Sequence, residues 1–210
     1  MHMKILEQLS SQRGDSTEES NRIAAAKCLE DPGLLRFLAE GLQSKDKSLV
    51  GDAAEVFTMV AKSHPEHVAS YAEALLPLLR HQATRARWEA MHALALTAHL
   101  VPDVVERDLL PMLPALLEQE KSTIVRDYGV ELLGQYAKTG ERAALQAYPL
   151  LTQALSTKQK SRALAGLLCV FTQAPSLGAD LHTLALAHLE DPKPVVKKAA
   201  KALQKATQPN

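Results

Sequence analysis

The chain has little of what most often marks chemistry or compartment. Cysteine occurs only twice, as Cys28 and Cys169, far apart in apolar surroundings. Neither a disulfide framework nor a cysteine zinc site is expected, and a reducing, cytoplasmic setting fits. Aromatics make up 4% of the residues, too few for a sheet core of Phe, Tyr and Val. Lys and Arg number 24 and so do Asp and Glu, so no net field recruits nucleic acid or an anionic membrane. The longest apolar run, LAGLLCVF, is far short of the ~20 residues of a membrane span, and MHMKILEQLS lacks the apolar core of a signal peptide. The nine glycines are scattered singly, which leaves no phosphate-cradling loop.

What is present is Ala and Leu in quantity, with 46% hydrophobic residues overall, a composition that suits many small, closely packed helices. Charge is divided unevenly. Up to Val105 there are 11 basic and 14 acidic residues, a balance of −3; beyond it 13 basic and 10 acidic, a balance of +3.

Five segments share one pattern: VGDAAEVF from Val50, ARWEAMHAL from Ala86, VRDYGVELL from Val125, SRALAGLLC from Ser161 and VKKAAKAL from Val196. Their starts are 36, 39, 36 and 35 residues apart, the period of stacked helical hairpins. The first, fifth and eighth residues of each segment form one helical stripe, and the fifth is small every time: Ala54, Ala90, Gly129, Ala165 and Ala200. A small residue there predicts close approach between helices. Each segment follows another apolar helix, and three of these carry an internal proline, Pro77, Pro114 and Pro149, which predicts a bent first helix. At the N-terminus, residues 1–15 are expected to be partly loop, over Ser10–Asp15 above all, with Ser16 and Glu19 forming a capping box before a capping helix NRIAAAKCLE. Residues 16–210 are then a single repeat domain.

In LLPLL followed by RARWEAMHAL, MLPALL followed by TIVRDYGVELLGQYA, and EDPKPVVKKAAKAL, the chain resembles the HEAT-repeat, armadillo-like family. The resemblance implies an all-α fold, a right-handed α-solenoid of about five HEAT-like helical hairpins plus an N-terminal capping helix. The family's Asp six residues before a basic residue survives as Asp191 before Lys197 and loosely as Glu120 before Arg126. His81 and Ser156 stand at the equivalent places elsewhere, so an Asp to Arg ladder between repeats is interrupted in the middle.

The stretch RWEAMH, from Arg87 to His92, comes nearest to a chemical motif. Zinc binding by HExxH needs two histidines one turn apart, and Trp88 stands where the first would be. The family includes an iron hydroxylase with HE pairs on its second helices, but the matching places here are Trp88-Glu89, Asp127-Tyr128, Ala163-Leu164 and Lys198-Ala199. His64 and His67 flank Pro65 and Glu66 at a helix junction and read as turn residues. No catalytic set, metal site or cofactor is expected, and the chain reads as no enzyme.

With the stripe facing the core, the second, third, sixth and tenth residues of each segment are expected on a concave face. They are Gly51, Asp52, Glu55 and Met59; Arg87, Trp88, Met91 and Ala95; Arg126, Asp127, Val130 and Gly134; Arg162, Ala163, Gly166 and Val170; and Lys197, Lys198, Lys201 and Lys205. Trp88, with Arg85 and Arg87 beside it, has the composition of an interface anchor, Met91 adds apolar surface, and His92 falls on a similar face. The expected function is a protein-interaction scaffold. A protein or peptide with acidic groups would be held by Arg87, Trp88, Met91, His92, Arg126, Asp127, Arg162, Lys197, Lys198 and Lys201. The second reading is a nucleic-acid-binding protein resembling the helical-repeat DNA alkylation-repair glycosylases, for which one Trp and zero net charge provide little stacking or phosphate binding.

Overall fold

The computed structural model describes residues 5–208, and those residues form helices and turns with no strand. They fall into two compact units divided between Val104 and Val105. The expected second helices are present as Lys47–Ser63 and Thr84–Thr97 in the first unit, and as Thr123–Ala137, Lys160–Gln173 and Pro194–Ala206 in the second. Each is preceded by a first helix, in turn Leu35–Gly41, Ala72–Leu75, Leu110–Gln119, Glu141–Ala154 and Gly178–Leu186.

The prolines act on these first helices in different ways. Pro77 lies in a stretch that tightens into a 3-10 turn, Leu76–Arg80, whereas Pro114 and Pro149 sit inside Leu110–Gln119 and Glu141–Ala154. A proline lacks the N–H that an α-helix needs four residues on, so the first helices are the less regular partners in their hairpins.

The turn before every second helix is closed by one side-chain acceptor bonded to the N–H two residues on. Asp46 accepts from Ser48, His81 from Ala83, Glu120 from Ser122, Thr157 from Gln159 and Asp191 from Lys193, at 2.8 to 3.2 Å. A short polar side chain that satisfies its own backbone fixes a turn without help from elsewhere. The fourth acceptor is Thr157, one residue beyond the Ser156 that spacing suggested.

Small residues at the fifth position of the stripe are fully buried at Ala54, Ala90 and Ala200, and Gly129 is buried too. Ala165 is exposed, which corrects the fourth repeat. Its buried series is Gln159, Ala163, Gly166 and Val170, so the register starts at Gln159 and not at Ser161. Gln159 is polar, but its side-chain amide donates to Asp127 Oδ1 at 3.1 Å, and a satisfied amide can replace an apolar residue in the stripe.

The N-terminal expectations need correction, residues 1–4 lying outside the described residues. Ser10–Arg13 is a helical turn and not a loop. Its backbone is held by the protein, with Ser10 N–H donating to Asn21 Oδ1 at 2.9 Å and Ser11 N–H to Asp52 Oδ2 at 2.7 Å. The Ser16 and Glu19 capping box does not form. Asp15 accepts instead from the Thr17 hydroxyl and from the N–H groups of Ser20 and Thr17, which together drive its carboxyl far below the usual range, and the helix Glu19–Glu30 starts after Glu18 in a left-handed conformation at φ 63°.

Candidate functional site

The inward stripe is wider than spacing implied, and this decides where the candidate residues lie. Lys47–Ser63 packs on Glu19–Glu30, Leu35–Gly41 and Thr84–Thr97, and Lys160–Gln173 packs on Thr123–Ala137, Glu141–Ala154 and Pro194–Ala206. A helix covered on three sides keeps only a narrow outer strip. Gly51, Asp52, Glu55, Met91, Ala95, Val130, Gly134, Ala163, Gly166 and Val170 are therefore buried and do not line a face. Met91 in particular has no exposed surface, so it is a core residue and not an apolar anchor.

In the first unit burial assembles a polar network instead. Asp52 accepts from Ser11 N–H, Asn21 Nδ2 at 3.0 Å and an Arg85 guanidinium nitrogen at 2.7 Å; Glu55 accepts from Asn21 at 2.7 Å and from Arg85 at 2.5 Å. The Asp52 and Glu55 side chains are 1% and 9% exposed, Arg85 31%. The two carboxyls respond oppositely. Burial of Asp52 is outweighed by its hydrogen bonds from Ser11, Asn21 and Arg85, which hold it below its ordinary range; Glu55 is pushed up, by burial first and by the nearby charges of Glu18 and Glu89 as well. Arg85, the cation of this network, was expected only as a flank of Trp88. Its signal was the spacing to carboxylates 30 and 33 residues earlier, close to one repeat.

Next to the network, the partly exposed Trp88 donates its indole N–H to Glu89 Oε1 at 2.6 Å. Glu89, where HExxH would have its base, is 9% exposed and orients an indole. Arg87 donates to the carbonyls of His81 and Gln82, and His92 is partly buried. At the end of Lys47–Ser63, His64 Nδ1 meets Glu66 Oε1 at 2.8 Å and stacks on His67 with centroids 4.9 Å apart. Ligand atoms of these three residues lie within 4.8 Å of one another, the spacing at which a metal ion could be held, on an exposed helix start where Glu66 is also favoured by the helix dipole. Neither thiol is poised for reaction: burial pushes Cys28 up to about 12 and raises Cys169 as well.

In the second unit Asp127 accepts from Gln159, Arg162 pairs with Glu131, and Lys197 pairs with Glu190 at 3.2 Å. Lys198 and Lys201 are exposed. Arg126 differs from the other arginines of the second helices. It has no ion pair among the described residues, and its Nε is buried without a hydrogen-bond partner.

Solved structures similar to this chain include designed armadillo repeat proteins and engineered proteins. A designed armadillo repeat protein in complex with the peptide (KR)4 superposes with a TM-score of 0.75 at 18% identity, over 99% of each chain. A computationally designed armadillo repeat protein for modular peptide recognition gives 0.69 at 17% identity, over 98% of this chain and 99% of that one. An engineered protein from a structural genomics consortium gives 0.72 at 19% identity, over 98% and 97%. No family model matches the sequence, and no curated protein matches it. The fold is an all-α solenoid of armadillo/HEAT-like helical repeats. No helix among the described residues is long and apolar enough to cross a membrane.

Proposed function

We propose that the chain is a non-catalytic, cytoplasmic scaffold that holds a protein or peptide segment against its second helices. The observation that carries this reading is Trp88, partly exposed and fixed by its bond to the buried Glu89 carboxylate. An aromatic ring whose orientation is set before binding loses little freedom on contact, which is what an interface anchor requires. A designed armadillo repeat protein in complex with the peptide (KR)4, and another designed for modular peptide recognition, support a repeat scaffold that binds peptides. Taken by itself, the second unit offers acidic groups Arg126, which has no internal acid, and the exposed Lys198 and Lys201. Arg87 and Arg162 contribute less, because carbonyls and Glu131 already occupy them.

The test uses peptides selected from a displayed library against the full chain, with affinities measured by fluorescence anisotropy. Trp88→Ala is expected to weaken the selected peptides by about 30-fold, the effect of losing ~2 kcal/mol at an anchor, with an unchanged circular dichroism spectrum. Peptides that bind the variant as tightly as the wild type, or a library that yields no binders, would overturn the reading.

A further inference from the structure

Arg126 and Lys160 hold the same place in successive repeats, directly after Val125 and Gln159, the first buried residues of their stripes. The Lys160 ammonium meets Asp191 Oδ2 at 3.0 Å, and Asp191 is the turn acceptor of the repeat that follows. The turn acceptor that follows Arg126 is Thr157. Its hydroxyl accepts from Gln159 N–H at 3.2 Å and donates to the Ala154 carbonyl at 2.7 Å, and it carries no charge. One repeat has a cation with its acid; the preceding one has the cation alone.

What surrounds that cation is a cleft of about 540 Å³ lined by Arg126, Thr157, Lys158, Lys160, Asp191 and Lys193, among others. Lys158 and Lys193 make no ion pair among the described residues. Asp191 is held ionised by the Lys193 N–H and the Lys160 ammonium, so these four cations face one carboxylate, and 4 − 1 leaves +3. A monoanionic carboxylate would leave most of that charge uncompensated, and its two oxygens reach few of the donors. A tetrahedral dianion offers oxygens in several directions and neutralises more. The buried Arg126 Nε–H, left without an acceptor, is the donor with most to gain, because an unmet buried donor is costly.

We propose that this cleft binds a phosphate monoester dianion, seated where a carboxylate of the next turn would otherwise pair with Arg126. The site goes beyond the scaffold reading and stands on residues of the second unit alone, so it does not depend on Trp88.

The experiment follows the Arg126 Nε–H signal of the full chain by proton–nitrogen correlation NMR, at constant ionic strength, during titration with inorganic phosphate, O-phosphoserine and acetate. Both phosphates are expected to shift the signal to saturation, and acetate to bind at least about tenfold more weakly. Tighter binding of phosphoserine assigns the site to phosphorylated side chains, and equal or tighter binding of inorganic phosphate assigns it to the free anion; either supports the site. Arg126→Gln should weaken binding at least about tenfold. Thr157→Asp supplies the missing acid from within, so it should abolish phosphate binding and raise the melting temperature by about 2 °C. The proposal is overturned by a signal that neither phosphate moves, by acetate binding as tightly, by undiminished phosphate binding in Thr157→Asp, or by a short DNA duplex binding more tightly than phosphoserine, which would point to phosphodiesters.

Discussion

Replacing Asp52 by alanine is expected to lower the stability of the protein by about 3 kcal/mol, and its melting temperature by about 6–12 °C. The carboxylate is 1% exposed and receives three donors, from Ser11, Asn21 and Arg85. Without it the Ser11 N–H loses its acceptor and Arg85 keeps only Glu55. The figure stands at the low end of the range for breaking a buried ion pair because Arg85 is 31% exposed and water compensates part of the loss. Glu55→Gln should cost less than about 1 kcal/mol, since burial already works against the Glu55 charge.

The pH dependence separates the two acids. Asp52 titrates below its unfolded value, so its contribution is complete above about pH 4 and fades as pH falls through its depressed value. The gap between wild type and Asp52→Ala should therefore close in acid. Glu55 titrates above its unfolded value, so its ionisation opposes folding, and acid relieves that opposition. Urea unfolding of the wild type and both variants from pH 7 to pH 3 measures these effects. A Glu55→Gln loss as large as that of Asp52→Ala would contradict the assignment.

The second large effect is expected from Gly134→Leu. A Cβ at Gly134 would lie 3.0 Å from the Gly166 Cα, and backbone cannot rotate aside. Leucine pushes its branch further into the seam between Thr123–Ala137 and Lys160–Gln173, with an expected loss of about 3 kcal/mol. Gly166→Ala provides the contrast. Its Cβ would meet Leu151 Cδ2 at 2.7 Å, but that is the end of a flexible side chain, and the gain in helix propensity of up to ~1 kcal/mol offsets much of the clash. Thermal unfolding should rank Gly134→Leu well below Gly166→Ala. A Gly134→Leu protein that melts within a degree of the wild type would show that the seam opens freely.

The repeat is legible because small residues recur where helices must approach, and the spacing places four of the five stripes in register. The fourth slipped by two residues for a physical reason. SRALAGLLC presents alanine at two phases of the helix, Ala163 and Ala165, and the true start, Gln159, is a buried amide that hydrophobicity does not flag. The breadth of the buried arc was not legible either, since it depends on how many neighbours cover a helix; this is why Met91 moved from anchor to core. Pairing was hidden for the same reason. Nothing local distinguishes Lys160, matched to Asp191, from Arg126, which has no acid, and only the turn one repeat later separates them.

Each turn before a second helix, from Asp46 through Asp191, is closed by a bond between its own side-chain acceptor and its own backbone. Gene duplication or loss of a whole hairpin would leave every remaining bend intact. Only the lateral pairings would have to be renegotiated by mutation, which makes length an easily varied trait in such a chain and charge matching between adjacent copies the slower one to evolve.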